Sequence, residues 1–257
     1  MFRRNIIMYA KLLNNLDTLG FTDMSTYLKE YLDKVIKEGT SVQEALVHLT
    51  DYEILKRDER AAQVQVSVSH FPYIKTADDY DYAFQPDVNK NEIKDLCSLR
   101  FMENKENILF YGTPGTGKTH LAISIGIEAA KKRNLVYFIT CHDLIQTLRK
   151  AHDENRLEQR LKHFCKHKLL IIDEIGYLPV DKTGANLFFQ LISKRYEHSS
   201  TIITTNQPFS KWGDVFSDAT LANAILDRLL HHSHIIKIVG PSYRTKDVYD
   251  MLENTQH

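Results

Sequence analysis

Two hydrophobic patterns divide this 257-residue chain. Up to about residue 65 the apolar positions recur at helical spacing. In "STYLKEYLDKVIKEG", Tyr27, Leu28, Tyr31, Leu32, Val35 and Ile36 fall at helical spacing, and Gly39 is the expected C-terminal stop. "TSVQEALVHLTDYEILKRDERAA" then opens with Ser41 and Glu44 three apart, a capping-box pattern. From Ile108 onward the pattern changes. "NILFY", "LVYFITC", "LLIID", "TIITT" and "HIIKIV" are short, nearly continuous runs rich in β-branched and aromatic residues, separated by helical stretches. Such runs are expected of parallel strands covered on both faces. Five of them with intervening helices predict a three-layer α/β sandwich around a five-stranded parallel sheet. The division this predicts is a helical N-terminal domain over 1–65, read as an interaction domain with mere packing as the alternative, a connector over 66–105 and a core over 106–257.

The strongest chemistry lies directly after "NILFY". The stretch Gly112, Thr113, Pro114, Gly115, Thr116, Gly117, Lys118, Thr119, His120 contains G-x-x-x-x-G-K-[ST] between a predicted strand and the apolar helix "HLAISIGIEAAKK". Glycines let backbone N–H groups turn inward around a β-phosphate, and the helix N-terminus adds its positive end. Lys118 is expected to reach the β- and γ-phosphates, and the Thr119 hydroxyl to bind Mg²⁺. Fifty-five residues beyond Lys118, "LLIIDE" ends a strand on two carboxylates. Asp173 is the expected Mg²⁺ ligand and Glu174 the base that activates water, so the pair favours ATP hydrolysis over phosphoryl transfer by a small-molecule kinase. "TIITTN" ends a third strand on Asn206, an amide able to orient water and sense the γ-phosphate.

Composition adds limits. The 33 Lys and Arg balance 33 Asp and Glu, so nucleic-acid binding must come from a local patch rather than an overall basic field. Cys97, Cys141 and Cys165 are scattered with no CxxC pair, which argues against a disulfide framework or zinc knuckle and fits a reducing cytoplasm. "MFRRNIIMYAKLL" turns polar too early for a signal peptide, and there is no apolar run of membrane-spanning length. "HHSH", His231 to His234, leads directly into a strand, with no acidic residue or cysteine within three positions, and reads as structural.

Taken in order, these elements resemble the AAA+ ATPases of the initiator branch, among them DnaA, the DnaC-like helicase loaders and, most closely, the IstB-like insertion-sequence ATPases. The resemblance rests on "ENILFYGTPGTGKTHLA", "LLIIDEIGYLP", "TIITTNQPFSKWGDVFSD" and "AILDRLLHHSHIIKIVGPSYR". It implies an ATP- and Mg²⁺-dependent P-loop AAA+ core, from which this sequence departs in having too few residues after the last predicted strand for the usual C-terminal helical lid. Asn206 would be the first sensor, and Arg228 in "LDRLL" an arginine finger entering a neighbouring subunit, so ATP should promote homo-oligomerisation. It assigns "DDYDYAFQP" to the adenine side, with Tyr82 and Phe84 as candidate wall, and leaves Arg244 as a candidate second sensor. Residues 149–168 carry ten Lys, Arg or His against three Asp or Glu, where the initiator branch has a helix lining DNA. Lys150, Arg156 and Arg160 are the candidate phosphate contacts, the alternative being a solvated helix with Glu158 pairing Lys162. The implied function is a DNA-stimulated ATPase that oligomerises on DNA and delivers or activates a cognate transposase at target sites. The alternative is a replicative helicase loader with the same core.

Overall fold

In the computed structural model, residues 2–245 are described, with side chains from Ile6. The expectation about a C-terminal lid falls largely on residues after 245, outside the described residues. The chain divides into two compact units, Met1–Gln63 and Val64–His257.

The first unit is built from α1 (Phe2–Thr18), α2 (Thr22–Glu38) and most of α3 (Val42–Val68). Its small core gathers Leu16, Met24, Leu28, Tyr31 and Leu49. Ile36, one of the apolar positions at helical spacing, instead lies 78% exposed. Gly39 ends α2 in the left-handed conformation, its N–H donating to the Val35 carbonyl. The Ser41–Glu44 box forms as the spacing predicts: Ser41 N–H donates to Glu44 Oε2 at 3.0 Å, and Glu44 N–H to Ser41 Oγ at 3.2 Å. One carboxylate is buried here. Glu53 accepts from the Met24 N–H and from Arg57 Nε, both at 2.8 Å, which supplies the pairing a desolvated charge requires.

The second unit opens with α4 (Lys90–Cys97) and α5 (Arg100–Glu103) and then alternates strand and helix. The strands are β1 (Asn107–Gly112), β2 (Val136–Thr140), β3 (Leu169–Ile175), β4 (Ser200–Thr205) and β5 (Ser233–Ile238). Between them run α6 (Lys118–Lys131), α7 (Cys141–Asp153), α8 (Leu157–Cys165), α9 (Lys182–Arg195), α10 (Trp212–Val215) and α11 (Ala219–Leu230). All pairings are parallel, in the order β2-β3-β4-β1-β5. The near-continuous apolar runs are explained by burial on both sides, because successive side chains point to opposite faces. On β3, Leu169 and Ile171 enter one core with Phe110, Leu121 and Ile125. Leu170 and Ile172 enter the other, with Leu148, Phe164, Phe188 and Ile225. One charge sits wholly inside. Arg195 at the end of α9 donates to the carbonyls of Phe164 and His167 and to Thr201 Oγ1, and burial lowers its pKa to about 10.

The order places β1 between β4 and β5, with β3 beyond β4. The carboxyl ends of β1, β3 and β4 therefore converge at one edge, where open α/β sheets bind ligands.

Candidate functional site

The loop after β1 is shaped by glycines that no other residue could replace. Gly112 has φ 144°, and a Cβ there would lie 1.8 Å from the Ile238 carbonyl oxygen. Gly117 has φ 87°, and a Cβ there would lie 2.5 Å from the Tyr80 ring. Lys118 opens α6 and folds back over the loop, its Nζ donating to the carbonyls of Gly112 at 3.0 Å and Thr113 at 2.7 Å. Burial lowers its pKa to about 8, partly offset by Asp173. Incoming phosphate would restore the charge that desolvation disfavours.

A cavity of about 340 Å³ opens beside this loop. It is lined by Gly115 through His120 and by Glu174, Asn206 and Arg244, with Tyr73, Tyr80 and Tyr243 among its aromatic walls. Gly112 is buried in the strand end, Thr113 and Pro114 are exposed, and none of the three is among the lining residues. Tyr82 and Phe84 are not among them either. Tyr82 packs against the core around Tyr80, and Phe84 meets the edge of Tyr243 at 5.2 Å. The wall is set instead by Tyr80, whose hydroxyl donates to the Thr116 carbonyl at 2.8 Å. His120 lies against it, with its Nε2 2.8 Å from the Thr76 carbonyl oxygen. Arg244 reaches the cavity because the chain after β5 folds across the loop. Thr113 Oγ1 donates to the Gly240 carbonyl at 3.0 Å and Tyr243 N–H to the Gly115 carbonyl at 2.8 Å.

The two carboxylates are held differently. Asp173 is buried, and its Oδ1 accepts from Thr119 Oγ1 at 2.9 Å and from Thr204 Oγ1. Burial raises its pKa, while these hydroxyls and Lys118 pull it back. A desolvated carboxylate beside a hydroxyl is a hard oxygen donor set that fits Mg²⁺. Thr119 and Asp173 would hold the ion, which when bound supplies positive charge to the phosphates. Glu174 sits where the β3–β4 register slips between Ile172 and Ile175, and it adopts φ 64°. A left-handed glutamate is strained backbone, and its N–H is fixed by Thr204 Oγ1 at 2.9 Å. The bulge re-aims the side chain out of the strand's alternation. Burial, with Asp173 second, raises the Glu174 pKa, as suits a proton acceptor. Asn206 Oδ1 is buried without a hydrogen-bond partner, so it has an unmet need for a donor. Thr204 was missed by the sequence reading. Its signal was its place two residues before Asn206, on the same face of the run.

Arg228 lies elsewhere, on α11. Its guanidinium donates to the Ala224 carbonyl at 2.9 Å and stacks 4.7 Å over Phe189. It has no carboxylate partner among the described residues. It is not among the residues lining its own chain's cavity.

The basic segment forms two helices, α7 and α8. Lys150, Arg156 and Arg160 converge on one groove of about 450 Å³, together with Thr147, Glu154, Gln159 and His163. Arg156 pairs with Glu154. The Glu158–Lys162 pair does not form, since Glu158 meets Lys194 at 3.2 Å. Burial lowers the pKa of His163, and Lys166 and Arg160 push in the same direction.

A parallel sheet in this order, a phosphate-cradling loop before a helix and a strand ending in paired carboxylates define a P-loop protein of the AAA+ class. The chain belongs to the IstB-like ATP binding protein family, whose model matches residues 14–250. It is 55% identical over 239 residues to the IS232 insertion-sequence ATP-binding protein of Bacillus thuringiensis subsp. berliner, covering 93% of this chain and 96% of that one. With the IS21 insertion-sequence ATP-binding protein of Pseudomonas aeruginosa it shares 40% over 232 residues, covering 90% and 88%. Among solved structures it is similar to the DnaC helicase loader, at 27% identity and TM-score 0.51 over 58% of this chain and 87% of that one. The fold is also that of a replication initiator DnaA bound to AMPPCP and single-stranded DNA, at 20% identity and TM-score 0.55, covering 70% and 54%. No described helix is long and apolar enough to cross a membrane.

Proposed function

We propose that this chain hydrolyses ATP with Mg²⁺, assembles with further copies of itself along DNA, and delivers or activates the transposase of its insertion sequence. The observation that carries the reading is the position of Arg228. The cavity is lined by Lys118, Thr119, Glu174 and Asn206, with the buried Asp173 bonded to Thr119 behind them, yet the candidate finger lies outside it, on a helix where no carboxylate of the described residues holds it. A second copy would complete the site, which makes assembly depend on nucleotide. Within the completed site Glu174 takes a proton from the attacking water. The bond between the γ-phosphorus and the bridging oxygen then breaks, leaving ADP and inorganic phosphate. Lys118 and Arg228 balance charge on the transferring group.

DNA contact is assigned to the groove of Lys150, Arg156 and Arg160, whose charge suits sequence-independent phosphate binding. Transposase contact is assigned to the N-terminal helices, which leave Ile36, Val42, Leu46, Val47, Ile54 and Leu55 more than half exposed. The likeness to the DnaC helicase loader favours one second reading, delivery of a replicative helicase.

The test combines phosphate release with sedimentation. Duplex DNA should accelerate ATP turnover, and a non-hydrolysed analogue plus DNA should drive the chain into large complexes. A chain that stays monomeric with both in excess defeats the proposal. Capture by the transposase but not by the replicative helicase separates the two readings.

A further inference from the structure

The sequence made "HHSH" look structural because no acidic residue lies within three positions of it. The fold supplies one. The turn after α9 brings Glu197 to the turn between α11 and β5, and ligand atoms of Glu197, His231 and His232 all lie within 4.8 Å of one another. The three side chains are exposed, so a hydrated ion has direct access. We propose that Glu197, His231 and His232 form a binding site for a transition-metal dication of the Zn²⁺ type, separate from the nucleotide site.

The geometry favours this beyond mere nearness. The two imidazoles are adjacent, with ring centroids 4.0 Å apart. The Tyr196 hydroxyl lies 2.7 Å from His231 Nδ1, so that with Nδ1 engaged Nε2 would be the ligand nitrogen. Such an outer hydrogen bond fixes a metal-binding ring in orientation. Glu197 itself adopts φ 59°, an unfavourable backbone for glutamate, in the turn that presents its carboxylate. Two imidazoles and a carboxylate suit Zn²⁺, Co²⁺ or Ni²⁺, whereas Mg²⁺ prefers an all-oxygen set. Three protein ligands leave a fourth position for water or for a group from another molecule. The bound ion would clasp the end of α9 to the end of α11. His231 follows Arg228 by three residues, so the clasp would steady the helix end that carries the candidate finger.

The experiment is Zn²⁺ calorimetry and Co²⁺ visible absorption on the untagged full chain. One equivalent should bind with a dissociation constant on the order of micromolar, and a Co²⁺ band should appear. The double variant His231→Ala/His232→Ala, and separately Glu197→Gln, should weaken binding at least about tenfold. Tyr196→Phe should weaken it by up to about tenfold through loss of the orienting bond. Zn²⁺ should also raise the melting temperature of the parent chain but not of the double variant, whose unliganded melt shows whether it is folded. Asp173→Asn should leave this binding intact. The proposal is overturned if Zn²⁺ does not bind below ~100 µM. Unchanged affinity in the double variant also overturns it, as does loss of binding in Asp173→Asn.

Discussion

The nucleotide cavity and the basic groove on α7 and α8 differ in how their polar groups are held. Around the cavity the groups are buried and committed. Asp173 is 4% exposed, Lys118 is 8% exposed, and each has specific oxygen or hydroxyl partners. In the groove Lys150, Arg156 and Arg160 are exposed, and Arg156 has only a nearby glutamate for company. Burying a charge without partners costs several kcal/mol, so the cavity tolerates few residue types at each position. A solvated cation costs almost nothing to replace. That is why the cavity announces itself as a motif and the groove only as a bias in composition.

The contrast can be broken at either end. The largest effect is expected from Lys118→Ala, which should lower ATP turnover by at least about 10³-fold, measured as phosphate release, because a preorganised charge is removed. Full retained turnover would mean that the cavity is not the catalytic site. Next come Arg228→Ala and Glu174→Gln. Each alone should cost up to ~10³-fold, and an equimolar mixture should regain part of the loss through composite sites. Mixtures that never exceed the separate variants would remove the case for action between subunits.

A smaller effect is expected at the groove. The variant Lys150→Ala/Arg156→Ala/Arg160→Ala should keep its ATP turnover without DNA while binding duplex more weakly. Its dependence of log affinity on log salt should flatten by about 0.9 for each DNA phosphate no longer neutralised. An unchanged slope would move DNA binding elsewhere on the surface.

The smallest and sharpest test is pH, which should weaken binding at both regions as it rises, but in different windows. Burial lowers the Lys118 pKa to about 8, and a bound phosphate would raise it. Nucleotide affinity should therefore be level below pH 8 and decline above it. Burial lowers the pKa of His163, with Lys166, Arg160 and His70 pushing the same way, and the ring also faces Tyr137 and His167. A phosphate in the groove would favour its protonated form, so DNA affinity should rise as pH falls below neutrality. His163→Phe should flatten that rise, as measured by fluorescence anisotropy.

Much of this molecule was legible before any coordinates. The five strand runs, the double-sided burial they imply and the helical N-terminal stretch follow from local periodicity. The phosphate loop and the paired carboxylates follow from spacing that backbone geometry demands within a few residues. Tyr82 and Phe84 show the limit. Two aromatics in a plausible segment gave no sign of which would face the cavity, because that depends on how the segment seats on Gly117 and the loop.

Short-range order in the chain determined the sheet, the loop that grips phosphate and the carboxylate pair, because those features need particular residues at fixed separations. Tertiary packing alone decided the rest. It chose Thr204 to fix Asp173 and Glu174, and brought Glu197 to His231 across 34 positions of sequence. Such meetings are set by which helices pack against which sheet face, and that is a property of the whole core rather than of any stretch of it.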